Sequence, residues 1–387
     1  MTPAARYRTA MECLDAILAG APAERVLTNW ARASRFAGSK DRAAVRDIVF
    51  SALRQKRSLA WRAGEMSGRG LVIGLLDQED NGFDLLDGSA YGAPPLTAEE
   101  RARMRRLEDA PRAVRLDIPD FLEPVLERSL GPDLEPVLTA LKQRAPTDLR
   151  VNLSRGSREA AQAVLAADGV NSEALDLAPT ALRVTEGARR VAQSAAYREG
   201  LIELQDLSSQ LVAHHAAAHG GTRILDFCAG GGGKTLALAD LTGQRIYAHD
   251  KLGQRMKDLP ERAARAQAAV TMLDAPETEA PFDHVLADAP CSGSGAWRRQ
   301  ADAKWRLTEA DLDGLLAAQR EVMDAAAALV APGGALVYAT CSLLAPENED
   351  QTQDFLERHK NFILVNEQHF RPPAEGDGFY VASFRHN

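Results

Sequence analysis

Apolar positions recur at three- and four-residue spacing over residues 5–18, 23–33 and 40–57, which predicts three amphipathic helices. On the third, Val45, Ile48, Val49, Ala52 and Leu53 form the apolar stripe, Arg42, Arg46 and Lys56 fall off it, and Ser39 after Gly38 is the expected N-cap. Glycines and Pro94-Pro95 break up residues 64–96. Helical pattern resumes from Leu96 to Ala140, interrupted by Pro111, Pro119, Pro124, Pro132 and Pro136. The first 140 residues therefore predict an all-α domain. Residues 141–200 change character: LRVNLSR (149–155) and TALRVT (180–185) read as strands around a helix over 157–169 closed by Gly169, a small α+β module ending near Gly200.

From residue 201 to 387 short apolar runs alternate with helical stretches, the pattern of a doubly wound sheet. The expected strands are 223–227, 245–250, 269–273, 282–290 and 334–342, with further candidates at 362–365 and 378–384. A long helix before the fifth is expected to stop at Pro332-Gly333-Gly334. Two strand ends carry cysteines, in LADAPCSGSG (286–295) and VYATCSLLAPEN (337–348). A buried parallel strand that breaks into small residues as a cysteine arrives ends at a reactive rim, so Cys291 and Cys341 are expected side by side.

Charge divides the chain. The whole carries 46 Lys and Arg against 54 Asp and Glu, net −8, yet residues 1–70 hold 13 bases against 6 acids, so that +7 there leaves −15 for the rest. A basic head on an acidic body suggests that the head meets a polyanion. No apolar run approaches the ~20 residues of a membrane span, and the N-terminus lacks the apolar core of a signal peptide. Cys13, Cys228, Cys291 and Cys341 are far apart with no CxxC, which argues against a disulfide framework or a structural zinc site and fits a reducing cytoplasm where free thiols serve as nucleophiles.

The first strand of the last domain runs into DFCAGGGGKT (226–235). Four glycines between strand and helix let backbone N–H groups approach a ligand closely. The loop is not a P-loop, because Cys228 stands five before Gly233, nor a clean G-x-G-x-x-G. Asp250, Asp274 and Asp288 follow strands two, three and four, and glycine loop plus acids together indicate a nucleoside cofactor, Asp250 being placed to accept from a ribose. Arg298, Arg299, Lys304 and Arg306 with Trp297 and Trp305 read as a basic, aromatic patch suited to single-stranded nucleic acid, or as core.

These stretches carry a resemblance. LQDLSSQL (204–211), the loop ending GGKT, Asp250, Asp274, DAPCSGSG, RRQADAKWR (298–306), PGGALVYATCS with PENE (346–349), and DGFYVASF (377–384) resemble the catalytic domain of the RNA cytosine-5 methyltransferases of the rRNA small-subunit methyltransferase B and NOL1/NOP2/Sun family. SKDRAAVRDIVFSALRQK resembles that family's NusB-like helical RNA-binding domain, and the middle module its RRM-like subdomain. Gly230-Gly231 stand where the family has Ala-Pro, and Ala301 where it commonly has proline. The resemblance implies a Rossmann-like α/β methyltransferase sheet preceded by these two domains, and a cytoplasmic, monomeric enzyme methylating RNA, rRNA foremost, at cytosine carbon 5. It implies S-adenosylmethionine held by Cys228, Ala229, Gly230, Gly231, Gly232, Gly233, Lys234, Asp250, Asp274 and Asp288. Carbon 5 of cytosine needs a thiolate added at carbon 6 before it can accept a methyl group. The resemblance assigns that thiolate to Cys341, release of the product to Cys291, contact with the base to Asp288 and a supporting positive charge to Lys234. The same chemistry on tRNA, an inactive rRNA-binding assembly factor, and a nicotinamide dehydrogenase are the competing readings.

Overall fold

The computed structural model describes residues 1–80 and 82–387. The chain packs as two units, Met1–Arg144 with Trp297–Leu307, and Ala145–Ala296 with Thr308–Asn387.

The first unit is helical: α1 (Pro3–Leu18), α2 (Ala23–Ala33), α3 (Ser39–Arg54), α4 (Lys56–Ala63) and α5 (Gly68–Leu76), then short helices separated by the prolines. Its core is the expected stripe, Val45, Val49, Ala52 and Leu53, closed by Leu14, Leu59, Leu71 and Val72. Two details differ from expectation. Ser39 is the first helical residue and Gly38 the cap, because the Asp41 carboxylate turns back to accept the Gly38 N–H at 3.2 Å. The run 40–57 is not one helix, since it breaks at Gln55. There the fully buried carboxylate of Asp117 accepts from the Ser58 N–H (2.9 Å) and hydroxyl (2.7 Å), capping α4 from a distant part of the chain.

The segment 297–307 lies inside this unit. Ala301 joins the helical core, Trp297 is buried, and the Trp305 indole N–H donates to the Leu53 carbonyl at 2.7 Å. The Lys304 ammonium, also buried, donates to the Arg54 carbonyl at 3.3 Å and lies 4.6 Å from the Trp305 ring, and burial pulls its pKa down to about 7. The expected basic, aromatic surface is therefore largely interior: Trp297, Arg298 and Lys304 are core residues.

The second unit holds two sheets. The smaller has four strands in the order β2-β3-β1-β4: β1 (Asp148–Val151), β2 (Asn171–Ala174), β3 (Ala181–Glu186) and β4 (Ile202–Leu204). The helix Arg158–Ala167, capped by the Ser157 hydroxyl, packs Ala161 and Leu165 against it. Because β4 pairs antiparallel with β1, this sheet continues past Gly200. It is fastened to the larger sheet's helices by ion pairs, buried Arg150 with Asp240 at 3.4 Å and buried Glu203 with the half-buried Arg262 (2.8 Å) and Arg265 (2.6 Å).

The larger sheet comprises β5 (Ile224–Asp226), β6 (Ile246–Ala248), β7 (Val270–Met272), β8 (Phe282–Asp288), β9 (Val330–Thr340), β10 (Phe362–Phe370) and β11 (Phe379–His386), ordered β10-β11-β9-β8-β5-β6-β7. β5 to β9 are mutually parallel, while β11 runs antiparallel to β9 and β10. Buried parallel strands read as continuous apolar runs because helices cover both faces. One face packs Met323 and Phe355 of helices Glu309–Ala327 and Glu349–Arg358. The other packs Val212 and Leu238 of helices Leu207–Ala217 and Gly233–Thr242. Pro332-Gly333-Gly334 does not end the long helix, which caps at Ala328. It lies within β9 as a bulge, with Gly333 at φ +74° and the β8 pairing slipping between Phe282 and His284.

Candidate active site

The carboxyl ends of β5 to β9 share one rim of the large sheet, where open α/β sheets bind ligands. β8 and β9 are parallel neighbours with Asp288 opposite Ala339. The chain beyond each, Ala-Pro-Cys291 and Thr340-Cys341, therefore arrives at one place, and the two sulfurs lie 3.3 Å apart. The Cys341 carbonyl accepts the Gly295 N–H at 3.0 Å, and the Gly295 carbonyl accepts the Gly378 N–H at 3.0 Å. A Cβ at Gly295 would sit 1.9 Å from the Gly378 oxygen, so the loop after Cys291 lies against the chain entering β11 only because residue 295 has no side chain.

A single buried carboxylate ties both cysteine loops. Glu347, with no exposed surface, accepts from the Ser292 N–H (2.7 Å) and hydroxyl (2.5 Å), the Gln319 amide (3.0 Å) and the Ser342 hydroxyl. Ser292 follows Cys291 and Ser342 follows Cys341, so one acid sets the position of both thiols. The Tyr338 hydroxyl donates to the Glu347 carbonyl at 2.6 Å, and the Asn348 amide donates to the Ser342 carbonyl at 3.1 Å.

The charges are ordered. The hydrogen bond with Cys341, burial, and the negative charges at Cys341 and Glu347 push the Cys291 thiol well up. Lys234, buried in the first turn of the helix after the glycine loop, is 2.7 Å from the Asp288 carboxylate and 5.0 Å from the Phe379 ring. Burial alone would lower its pKa, but the charge and hydrogen bond of Asp288, with the charges at Cys341 and Asp226, raise it overall and hold it as an ammonium. Asp226 is fully buried. One of its oxygens accepts the Thr235 hydroxyl at 2.7 Å, the other has no partner, and burial pushes its pKa up to about 7. Burial likewise raises the Cys228 thiol and keeps it neutral.

Next to this cluster, Asp250 accepts the N–H groups of Gly230 and Leu252, each at 2.9 Å, and pairs with Arg255 at 3.3 Å. Gly232 has φ +81°, and a Cβ there would meet a Leu259 methyl at 2.3 Å. These residues fit a nucleoside-bearing cofactor. The loop 228–233 presents bare backbone, and the helix it leads into begins with N–H groups that lack intrahelical partners. The Asp250 carboxylate also has acceptor capacity beyond the donors it now holds.

The structure thus brings Cys341, Cys291, Asp288 and Lys234 to one rim and places Asp250 against the loop Cys228–Gly233. Asp274 stands apart from that network, exposed just beyond β7. Sequence reasoning passed over Glu347, Asp226, Thr235 and Arg255. Only Glu347 left a signal, as the first acid of PENE. Among the described residues no group of three or more His, Cys, Asp or Glu is arranged to hold a metal ion, and no helix is long and apolar enough to cross a membrane.

Comparison with known proteins places this geometry in context. The family model "16S rRNA methyltransferase RsmB/F" matches residues 214–385, and a ferredoxin-like domain model of RsmF/B-like methyltransferases matches residues 118–191. The ribosomal RNA small subunit methyltransferase B of Pasteurella multocida is 34% identical over 291 residues, covering 69% of this chain and 65% of that protein. Its namesake from Yersinia pestis is 30% identical over 390 residues, covering 89% and 90%. The chain thus spans just under two thirds of the Pasteurella protein and most of the Yersinia one. The crystal structure of PH0851 superposes over 99% of both chains with a TM-score of 0.74 at 23% identity. NSun6 from Pyrococcus horikoshii, solved with SFG, superposes over 69% of this chain and 98% of its own with a TM-score of 0.61 at 18% identity. At those identities the likeness is one of fold.

Proposed function

Because the chain belongs to the RsmB/F family of 16S rRNA methyltransferases, we propose that it methylates carbon 5 of a cytosine in ribosomal RNA through a covalent adduct between Cys341 and carbon 6. S-adenosylmethionine, held by the glycine loop and Asp250, supplies the methyl group. The observation that carries the reading is the pair of sulfurs 3.3 Å apart at the ends of adjacent parallel strands, beside the Lys234–Asp288 pair.

The Cys341 sulfur adds to carbon 6, and the carbon 5–carbon 6 double bond becomes the electron pair that carbon 5 uses to take the methyl group. Asp288 meets ring nitrogen 3, where negative charge collects, and the Lys234 ammonium beside it is the proton source that neutralises that charge. After transfer the carbon 5 proton must leave. Ring nitrogen 3 returns its proton to the Lys234 amine, and Cys291, its own proton having passed to solvent, takes up the carbon 5 proton as a thiolate; carbon 5–carbon 6 becomes a double bond again and the Cys341 sulfur departs with the electrons of its carbon bond. The direction of the Cys291 shift supports this division, since a thiol that keeps its proton is a poor first nucleophile. A base inside a duplex stack exposes neither carbon to a thiol, so the substrate cytosine is unpaired or flipped.

Cys341→Ser should abolish methylation and form no covalent RNA species, because a hydroxyl is a far weaker nucleophile than a thiolate. Cys291→Ala should still attack but release poorly, accumulating a protein–RNA species that survives denaturing gel electrophoresis. A trapped species in the Cys341 variant instead would reverse the two roles.

A further inference from the structure

In the helical unit, five cations and one aromatic ring line α2, the connection that follows it and the first turn of α3. Arg25 and Arg32 lie two turns apart on one face of α2; Arg35 and Phe36 stand in the connection, and Lys40 and Arg42 in the first turn of α3. All five cations are exposed or half-buried, and Phe36 is 76% exposed. Among the described residues none of the five has a carboxylate partner, whereas Arg6, Arg57, Arg62, Arg69 and Arg112 of the same unit each have one. The acids of the segment are already engaged. Glu24 binds Arg46, an ion pair that ties α2 to α3; Asp41 binds Arg6 and the amino terminus; Asp47 binds Arg144. Five uncompensated positive charges thus gather within eighteen residues of a chain whose net charge is −8.

We propose that this connection binds an unpaired stretch of RNA, Phe36 stacking on a base while Arg25, Arg32, Arg35, Lys40 and Arg42 lie along the neighbouring phosphates. The proposal rests on the reading of the protein as an RNA enzyme. Cations alone would suit any polyanion; the flat ring among them selects bases that are out of a helix, because only those offer a free face.

The test measures binding of a fluorescein-labelled, unstructured 20-nucleotide RNA to the full chain by anisotropy across a salt series. Phe36→Ala should weaken binding about 5- to 100-fold and leave the salt slope unchanged, and Phe36→Trp should retain binding. The triple variant Arg32→Gln, Arg35→Gln, Lys40→Gln should reduce the slope of log K against log salt by about 2, at about 0.7 for each phosphate that is no longer neutralised. These three side chains are exposed, so the melting curves should match the wild type. Unchanged affinity in Phe36→Ala, or an unchanged slope in the triple variant, overturns the proposal. So does a 20-residue poly-glutamate that binds with the same dependence on Phe36, which would make the partner an acidic protein. Wild-type RNA binding that responds to these variants without any methyl transfer would instead refute the catalytic reading and leave this surface standing.

Discussion

Glu347→Gln is the sharpest probe of how the two cysteine loops are held. The substitution keeps the size of the side chain but exchanges a carboxylate oxygen for an NH2 group that cannot accept. Glu347 receives four donors, two from Ser292 and one each from Ser342 and Gln319, all in the interior. A glutamine oxygen can serve about two of them, and the other two would face an amide donor. Two lost hydrogen bonds to a charged acceptor, at about 1.5–3 kcal/mol each, make a destabilisation of roughly 3–6 kcal/mol. At about 2–4 °C per kcal/mol for a unit of this size, the melting temperature should fall by roughly 6 to 24 °C. Methyl transfer below the new melting temperature should fall as well, because the sulfurs lose their common anchor. Circular dichroism melting and a labelled-methyl transfer assay read the two effects separately. A melting shift under about 2 °C with unaltered transfer would show that Glu347 fills space and orients nothing.

Asp226 should make stability depend on pH in the unusual direction for an acid. Its folded pKa of about 7 lies above the unfolded 3.8, so the stability it confers is complete below pH 3.8 and is lost as pH rises to 7. The loss approaches roughly 4 kcal/mol. Asp226→Asn should flatten the fall in melting temperature between about pH 4 and 7, and an identical pH profile in wild type and variant would refute the assignment. Asp250→Ala should weaken S-adenosylmethionine, measured by calorimetry, by about 1.5–3 kcal/mol, and Asp250→Asn by less, since it still accepts the backbone bonds that shape the loop. Equal affinity in all three proteins would remove Asp250 from the cofactor site.

What the sequence disclosed and what it hid follow from the range of the interactions involved. The central strands β5, β8 and β9 of the large sheet were legible because helices cover both faces and each run is largely apolar, and the meeting of Cys291 with Cys341 followed from two adjacent strands ending alike; β10 was read only as 362–365 because Asn366–His369 are polar and mostly exposed. β2 was hidden because Asn171–Ala174 is a polar, largely exposed strand that exists through its pairing with β3. The break at Gln55 was hidden because Asp117, which caps the next helix, lies 59 residues away from Ser58. Residues 297–306 misled for a different reason. Tryptophans interleaved with cations describe an RNA-binding surface and a buried cation–π cluster equally well, and only the Trp305–Leu53 and Lys304–Arg54 bonds decide between them.

That correction bears on how a polyanionic substrate is gathered. Asp226, Asp250, Asp288 and Glu347 surround the rim, and its one buried lysine is already bound to Asp288. Such a site favours a protonated ring nitrogen and discourages a second thiolate, but it offers phosphates little. Lys304 and Arg298 are committed to the interior of the helical unit, which leaves Arg299 and Arg306 as the exposed cations of that segment. Uncompensated positive charge remains where sequence composition first showed it, in the basic head. The proposed chemistry therefore requires recruitment and catalysis to be carried by different parts of the chain, the electrostatics that serve one being adverse to the other.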